Sequence, residues 1–309
     1  MFFPPQGYAV VFQSRQRFAC RDALLVLESM QIPVRLDQAE STWYLSVPAH
    51  HASEAVAELD AYQQEQPAGD ADRHGDPPTA GVRYPGMGSG ITGYVTCLLS
   101  FAYLSGLPSH GSPWVVLGGM QAEAVATQHQ WWRTITALTL HVDVGHLMSN
   151  LGFGCLFGWM ASRLFGGGLA WGGILIGGAT GNLLNALLRD PTHQSIGAST
   201  AVFAALGMVV ADGLGFRQRI DQNVLKRWSP LIAGLVLFGL LGLGDQRTDV
   251  LAHATGFVAG LPIGWLANKV PATVRQRKLT QILLGGVSVV IIVIAWLFAV
   301  SHWTVTSKM

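Results

Sequence analysis

The sequence predicts a polytopic α-helical membrane protein preceded by a small α+β soluble domain, and three observations lead to that class. Half of the 309 residues are apolar and only 12% are charged, a balance unusual for a water-exposed chain. The charge is also unevenly placed, since eleven of the 18 acidic residues precede residue 85. Beyond it, one glutamate (Glu123) and six aspartates are scattered among apolar runs long enough to cross a hydrocarbon layer of roughly 30 Å. The expected organisation is a soluble domain over 1–66, a flexible linker over 67–90, a six-helix core over 91–268, and a loop, seventh membrane helix and tail over 269–309.

In the first domain, Tyr8 to Gln13 reads as a strand. Cys20 to Met30 reads as an amphipathic helix with Ala23, Leu24, Leu27 and Met30 on one side. Pro33 to Leu36 and Thr42 to Val47 read as further strands, and Ser53 to Gln66 as a helix through Ala57, Leu59 and Ala61. The resulting β-α-β-β-α order has room for a modest core and shows no nucleotide, metal or nucleophile motif. Repeated Pro, Gly, Asp and Ser mark the linker.

Seven spans follow, expected at about 91–107, 141–162, 169–188, 196–214, 230–244, 250–267 and 281–300. The opening Met1-Phe-Phe-Pro-Pro lacks the basic flank and apolar core of a signal peptide, so the N-terminus is expected in the cytoplasm. Loop charge agrees. Arg83, Arg163, Arg217, Arg219, Lys226, Arg227, Lys269, Arg275, Arg277 and Lys278 fall on cytoplasmic sides, against Arg133, Arg189, Arg247 and Lys308 outside. Spans four and six then both enter from the outer face.

That shared direction matters for two polar residues. Ser199 sits in Ser195-Ile-Gly-Ala-Ser-Thr-Ala, and His253 in Asp249-Val-Leu-Ala-His-Ala-Thr-Gly. At about 1.5 Å per residue each is expected on the order of 6 Å below its helix start. A serine and a histidine at matching depth are a nucleophile and a general base. Gly256 and Gly260 give span six a small-residue face that lets it press against span four, and Phe203 shares a helical face with Ser199. On span two, His146 and Asn150 are four apart, donors without fixed charge suited to an oxyanion. A helix-bridging role is the alternative for that pair. Trp131-Trp132 followed by Arg133 reads as an interfacial anchor or as a half-submerged element in the first outer loop.

Several other readings fare worse. Cys20, Cys97 and Cys155 have no paired spacing, which argues against a disulfide framework or a cysteine metal site. Net charge of +1 and the lack of a basic run with aromatics give no reason to propose nucleic acid. Gly242-Leu-Gly-Asp245 spells an aspartyl-protease tetrapeptide without a second membrane aspartate, and His141 with His146 lacks zinc-ligand spacing. No metal or other cofactor is expected.

In combination these motifs resemble the rhomboid family of intramembrane serine proteases over about residues 91–268. Trp132-Arg133 is similar to the family's Trp-Arg pair, and His146 with Asn150 to its His-x-x-x-Asn motif. Gly197-Ala-Ser199 resembles the Gly-x-Ser nucleophile motif, and His253 with Gly256 and Gly260 the Ala-His-x-x-Gly-x-x-x-Gly motif. Thr200 and Phe203 depart from the glycine and tyrosine frequent at those places. The resemblance implies Ser199 as nucleophile, His253 as base, and His146, Asn150 and the Ser199 amide as oxyanion site. It implies transmembrane protein substrates, a bacterial inner-membrane location, a six-plus-one helix arrangement, and an N-terminal domain like that of some bacterial rhomboids. An inactive client-binding relative and a proton-coupled solute transporter are the rival readings; the oligomeric state is not legible.

Overall fold

Apolar alternation builds a small sheet at the start of the chain: β1 (Tyr8–Ser14), α1 (Arg17–Ser29), β2 (Arg35–Ala39), β3 (Thr42–Pro48), a 3-10 turn (Ala49–His51) and α2 (Ala52–Glu65). The structure, a computed structural model, describes residues 4–14, 17–39, 42–65, 84–109, 111–220, 224–242 and 249–306. It separates into two compact units, Met1–Val82 and Arg83–Met309, each taken by itself below.

In the first unit β3 is central and pairs antiparallel with β1 and β2, Ser46 standing opposite both Val10 and Arg35. Leu45 and Val47 of β3 point to the side where Cys20, Ala23 and Leu27 of α1 and Ala55 and Leu59 of α2 close the core. Burying each large aliphatic side chain contributes about 1.5–3 kcal/mol, enough to hold a domain of this size when several act together. The expected order of elements is present, with differences in which residues turn inward. Met30 is half exposed, because α1 ends at Ser29. The buried stripe of α2 runs through Ala55 and Leu59, leaving Ala57 and Ala61 outward.

The second unit is helical. It comprises α3 (Met87–Ser105), α4 (Pro113–Gly118), strand β4 (Met120–Gln121), α5 (Ala122–Ala126), α6 (Arg133–Thr136), α7 (Val144–Phe165) and α8 (Gly167–Leu188). Strand β5 (Gln194–Ser195), α9 (Ser199–Ile220), α10 (Val224–Gly242), α11 (Val250–Lys269), α12 (Ala272–Arg275) and α13 (Lys278–Thr306) follow. Among the described residues, α3, α11, Val224–Leu241 and Lys278–His302 are each long and apolar enough to cross a membrane. The polar groups that interrupt α7 and α8, namely Asn150, Asn182 and Asn185, turn inward and are buried, as lipid exposure would demand. This is a polytopic helical membrane domain, and it differs from expectation in several boundaries. Residues 87–90, expected in the linker, are helical, and Gly90 packs against the Trp171 side chain, where a Cβ would clash. Residues 66–83, Asp245, Arg247 and Lys308 lie outside the described residues.

Glycine decides how the central helices meet. On α11, Gly256 rests on the Thr200 carbonyl, Gly260 on that of Ala204, and Gly264 on Met208, so α11 runs parallel to α9 with backbones in contact. On α8, Gly181, Gly177 and Gly173 meet Thr200, Ala204 and Met208 in the opposite order, so α8 is antiparallel to α9. Thr200 thus fills the junction of three helices with its methyl group 2.7 Å from where a Gly181 Cβ would stand. Its departure from glycine is absorbed by glycines on both neighbours.

The segment between α3 and α7 is a folded layer rather than a strap. Arg133, buried, donates from Nη1 to the carbonyls of Gly119 (2.7 Å) and Val116 (3.1 Å) and from Nε to Gln130 Oε1 (2.6 Å). A cation set on the last carbonyls of α4 offsets the charge of that helix end. Helix α13 braces the layer from below, since Trp296 stacks on Phe101 (4.8 Å) and donates to Thr139 Oγ1, while Phe298 stacks on Trp132. At its other end buried Gln281 accepts from Leu169 N–H and donates to the Phe165 and Arg275 carbonyls.

Candidate active site

Ser199 is the first residue of α9. The expected start at 196 and the 6 Å depth are corrected by Gly197, whose φ of +139° lies outside the helical range and which donates its N–H to Ala137 O at 3.0 Å. The chain therefore arrives as strand β5, paired with β4 (Met120 opposite Ser195), turns at Gly197, and enters the helix at Ser199. Amides at a helix start have no partner inside the helix and point outward, so the serine stands among free donors.

His253 lies in the first turn of α11, whose start is capped by the Asp249 carboxylate accepting from Ala252 N–H at 3.2 Å. Its ring stacks on Phe203 with centroids 4.5 Å apart and planes at 29°. Phe203 is one turn beyond Ser199, so the imidazole lies against the face of α9 that carries the serine. Phe238 of α10 backs the other edge of Phe203 at 5.3 Å.

Helix α7 supplies the third part. Asp143 caps it, accepting from His146 N–H at 2.8 Å, a bond of the kind that contributes roughly 0.5–2 kcal/mol. The His146 ring is set so closely over Gly197 that a Cβ there would lie 2.5 Å from its Cε1 and 2.8 Å from its Nε2. Behind it, wholly buried His141 meets His146 edge-on at 5.3 Å. Asn150 donates one amide hydrogen to His146 O at 2.9 Å, and its own carbonyl accepts from Tyr94 Oη at 2.7 Å.

Ser199, His253, His146, Asn150, Gly197 and Phe203 line a single cavity of about 850 Å³. Gly256 and Gly260 lie one and two turns below His253 and set the α9–α11 distance. Trp132 and Arg133 do not line the cavity; they shape the layer above it. Sequence reasoning passed over a cluster on the cavity wall, where Asp249 takes hydrogen bonds from Asn185, Arg189 and His193, each at 2.8 Å. Burial raises the Asp249 pKa, but those three donors and the Ala252 amide outweigh it and hold the carboxyl below the usual carboxylate range. The available signal was an aspartate just before an apolar helix and a polar pair, Asn185 and Arg189, four apart at the end of another.

Residues 128–270 match the Rhomboid domain family, a stretch containing every residue named above for the cavity. Rhomboid-like protein 11, chloroplastic, of Arabidopsis thaliana is 29% identical over 49% of this chain and 58% of its own. Rhomboid-like protease 3 of Toxoplasma gondii is 29% identical over 57% and 64%. Rhomboid protease GluP of Bacillus subtilis is 23% identical over 61% and 35%. The matched part thus spans about three fifths of the first two relatives and about a third of GluP. Residues 128–270 of this chain thus form a Rhomboid domain within a polytopic helical membrane protein.

Proposed function

We propose that this chain is an intramembrane serine endopeptidase that cuts transmembrane protein substrates with a Ser199–His253 dyad. One observation carries the reading: His253 stacks on Phe203, one turn from Ser199, inside a cavity that His146 and Asn150 also line. Rhomboid proteases in general act on transmembrane substrates, which supports the substrate class.

In the proposed reaction, His253 takes the Ser199 Oγ proton as the oxygen attacks the scissile carbonyl. The oxyanion is met by the Ser199 N–H, the second amide hydrogen of Asn150 and the His146 ring, all uncharged donors that need no reorganisation. His253 then passes its proton to the departing amine, leaving an ester on Ser199. Water, deprotonated by His253, releases the acid and restores the serine. No carboxylate is assigned to the imidazole; stacking on Phe203 holds it. A substrate helix must unwind first, since its carbonyls are otherwise engaged, so small or helix-breaking residues are expected at the cut. The location proposed is the bacterial cytoplasmic membrane, with the βαββα domain in the cytoplasm, the cavity towards the outer side and α13 returning the chain outwards.

The decisive experiment is fluorophosphonate labelling of the purified protein in detergent, alongside cleavage of a transmembrane peptide. Wild type should be labelled on Ser199 and should cleave, and Ser199→Ala and His253→Ala should do neither while melting as wild type does. Cleavage by folded Ser199→Ala refutes the serine mechanism.

A further inference from the structure

The Asp249 carboxylate is held from several directions by groups that the proposed chemistry does not use. Oδ1 accepts from Arg189 Nη2 (2.8 Å) and the Ala252 amide (3.2 Å), and Oδ2 accepts from Asn185 Nδ2 (2.8 Å) and pairs with His193 Nε2 (2.8 Å). A helix cap needs one acceptor. The other donors come from the last turn of α8 and from the segment that follows it.

That segment leads to the serine. His193 O accepts from Ala122 N–H, Gln194 and Ser195 pair with β4, and Gly197 turns the chain into Ser199. On the other side, His253 is one turn after Asp249 and donates its own N–H to the Asp249 backbone carbonyl at 3.1 Å. One side chain therefore joins the strand that delivers the nucleophile to the helix that carries the base. The glycine contacts between α9 and α11 cannot do this alone. They determine how near the helices approach, whereas the hydrogen bonds to Asp249 are short and directional and tie the start of α11 to residues 185–193.

We propose that Asp249 is a positioning residue which, anchored by Asn185, Arg189 and His193, sets the rotation and depth of His253 relative to Ser199; the inference rests on the Ser199–His253 reading of the site. Asp249→Asn separates this role from capping. Asparagine caps a helix as well as aspartate does, yet its amide replaces one acceptor oxygen with a donor, leaving it facing a donor of Asn185 or Arg189.

The test uses the full chain in detergent, with kinetics on a transmembrane peptide and amide hydrogen exchange. Folded Asp249→Asn should lose on the order of 10- to 100-fold in kcat with KM little changed, as small misplacements of a reacting group do. Exchange should rise together in residues 193–198 and 250–253. His193→Ala, which removes one donor at the rim, should show a smaller loss, and His193→Gln, which restores a donor, should recover it; this pair carries the test if Asp249→Asn does not fold. Wild-type kcat in folded Asp249→Asn, or exchange rising at 250–253 alone, overturns the proposal. If wild type neither cleaves nor labels, the protease reading is what fails, and the exchange result then decides by itself whether Asp249 couples the two segments.

Discussion

Replacing Gly197 by alanine tests the geometry of the site most directly. Two costs can be read from the structure. The backbone stands at φ +139°, where side chains are rarely tolerated, and holding a non-glycine residue there costs of the order of 1–3 kcal/mol. The new Cβ would also fall 2.5 Å from His146 Cε1, about 1 Å short of ordinary carbon contact. The imidazole has little room to withdraw, because buried His141 stands behind it at 5.3 Å. Either Gly197 relaxes and drags Ser199 with it, or His146 leaves its place; a displacement of that size costs about 10²-fold in turnover. Gly197→Ala is therefore expected to melt several degrees lower and to lose turnover on the order of a hundredfold in its folded fraction. Gly152→Ala is the control, since its Cβ would meet nothing within 4 Å and it lies within a helix, so it should change neither quantity much. Thermal melting in detergent and single-substrate kinetics on both variants decide the matter. If Gly197→Ala behaves like Gly152→Ala, the close packing of His146 over the strand before Ser199 is not what orders the site.

Asn150→Ala separates oxyanion stabilisation from bridging. Loss of one oxyanion donor typically lowers kcat about 10²- to 10³-fold, whereas a hydrogen bond within a membrane bundle contributes nearer 0.6 kcal/mol. A steep fall in kcat with KM and melting temperature little changed is expected; a much lower melting temperature with normal turnover would make Asn150 a strut. Acid should weaken the Asp249 clamp. Its folded pKa is depressed, so its stabilisation is fully present above the unfolded value of about 3.9 and is lost as pH falls through the lower folded value. The melting-temperature gap between wild type and Asp249→Asn should hold at neutral pH and close under acid; a gap that widens as pH falls would contradict the assignment.

Much of this molecule is legible as a string of letters. Apolar runs near twenty residues announce membrane helices, and within them Ser199, His253, His146 and Asn150 stand out because polar groups in such runs need a reason to be there. The four-residue spacing of Gly256 and Gly260 announces a close helix contact without naming its partner, and the small domain's strands and helices follow from period alone. What the spacing could not reveal is where α9 begins. Apart from Ser199 and Thr200 the residues from Ile196 through Leu206 are apolar or small and carry no helix-start signal at Ser199, and it is the tether of Gly197 to Ala137 O, a contact 60 residues away in sequence, that ends the strand and places Ser199 on the helix's first turn.

The same limit explains the segment between α3 and α7 and the clamp. Composition and periodicity determined the class of the fold, the order of its long helices, and which side chains were available for chemistry, because those depend on burial in lipid and on repeat lengths that each segment carries within itself; the short helices α4, α5, α6 and α12 were not legible there. Tertiary structure decided that Arg133 binds carbonyls at the end of α4, that α13 supports the segment between α3 and α7 through Trp296, and that Asp249 gathers Asn185, Arg189 and His193. Each of those joins residues far apart in the chain, and a hydrogen bond is directional and short, so its partners are known only once the helices have packed.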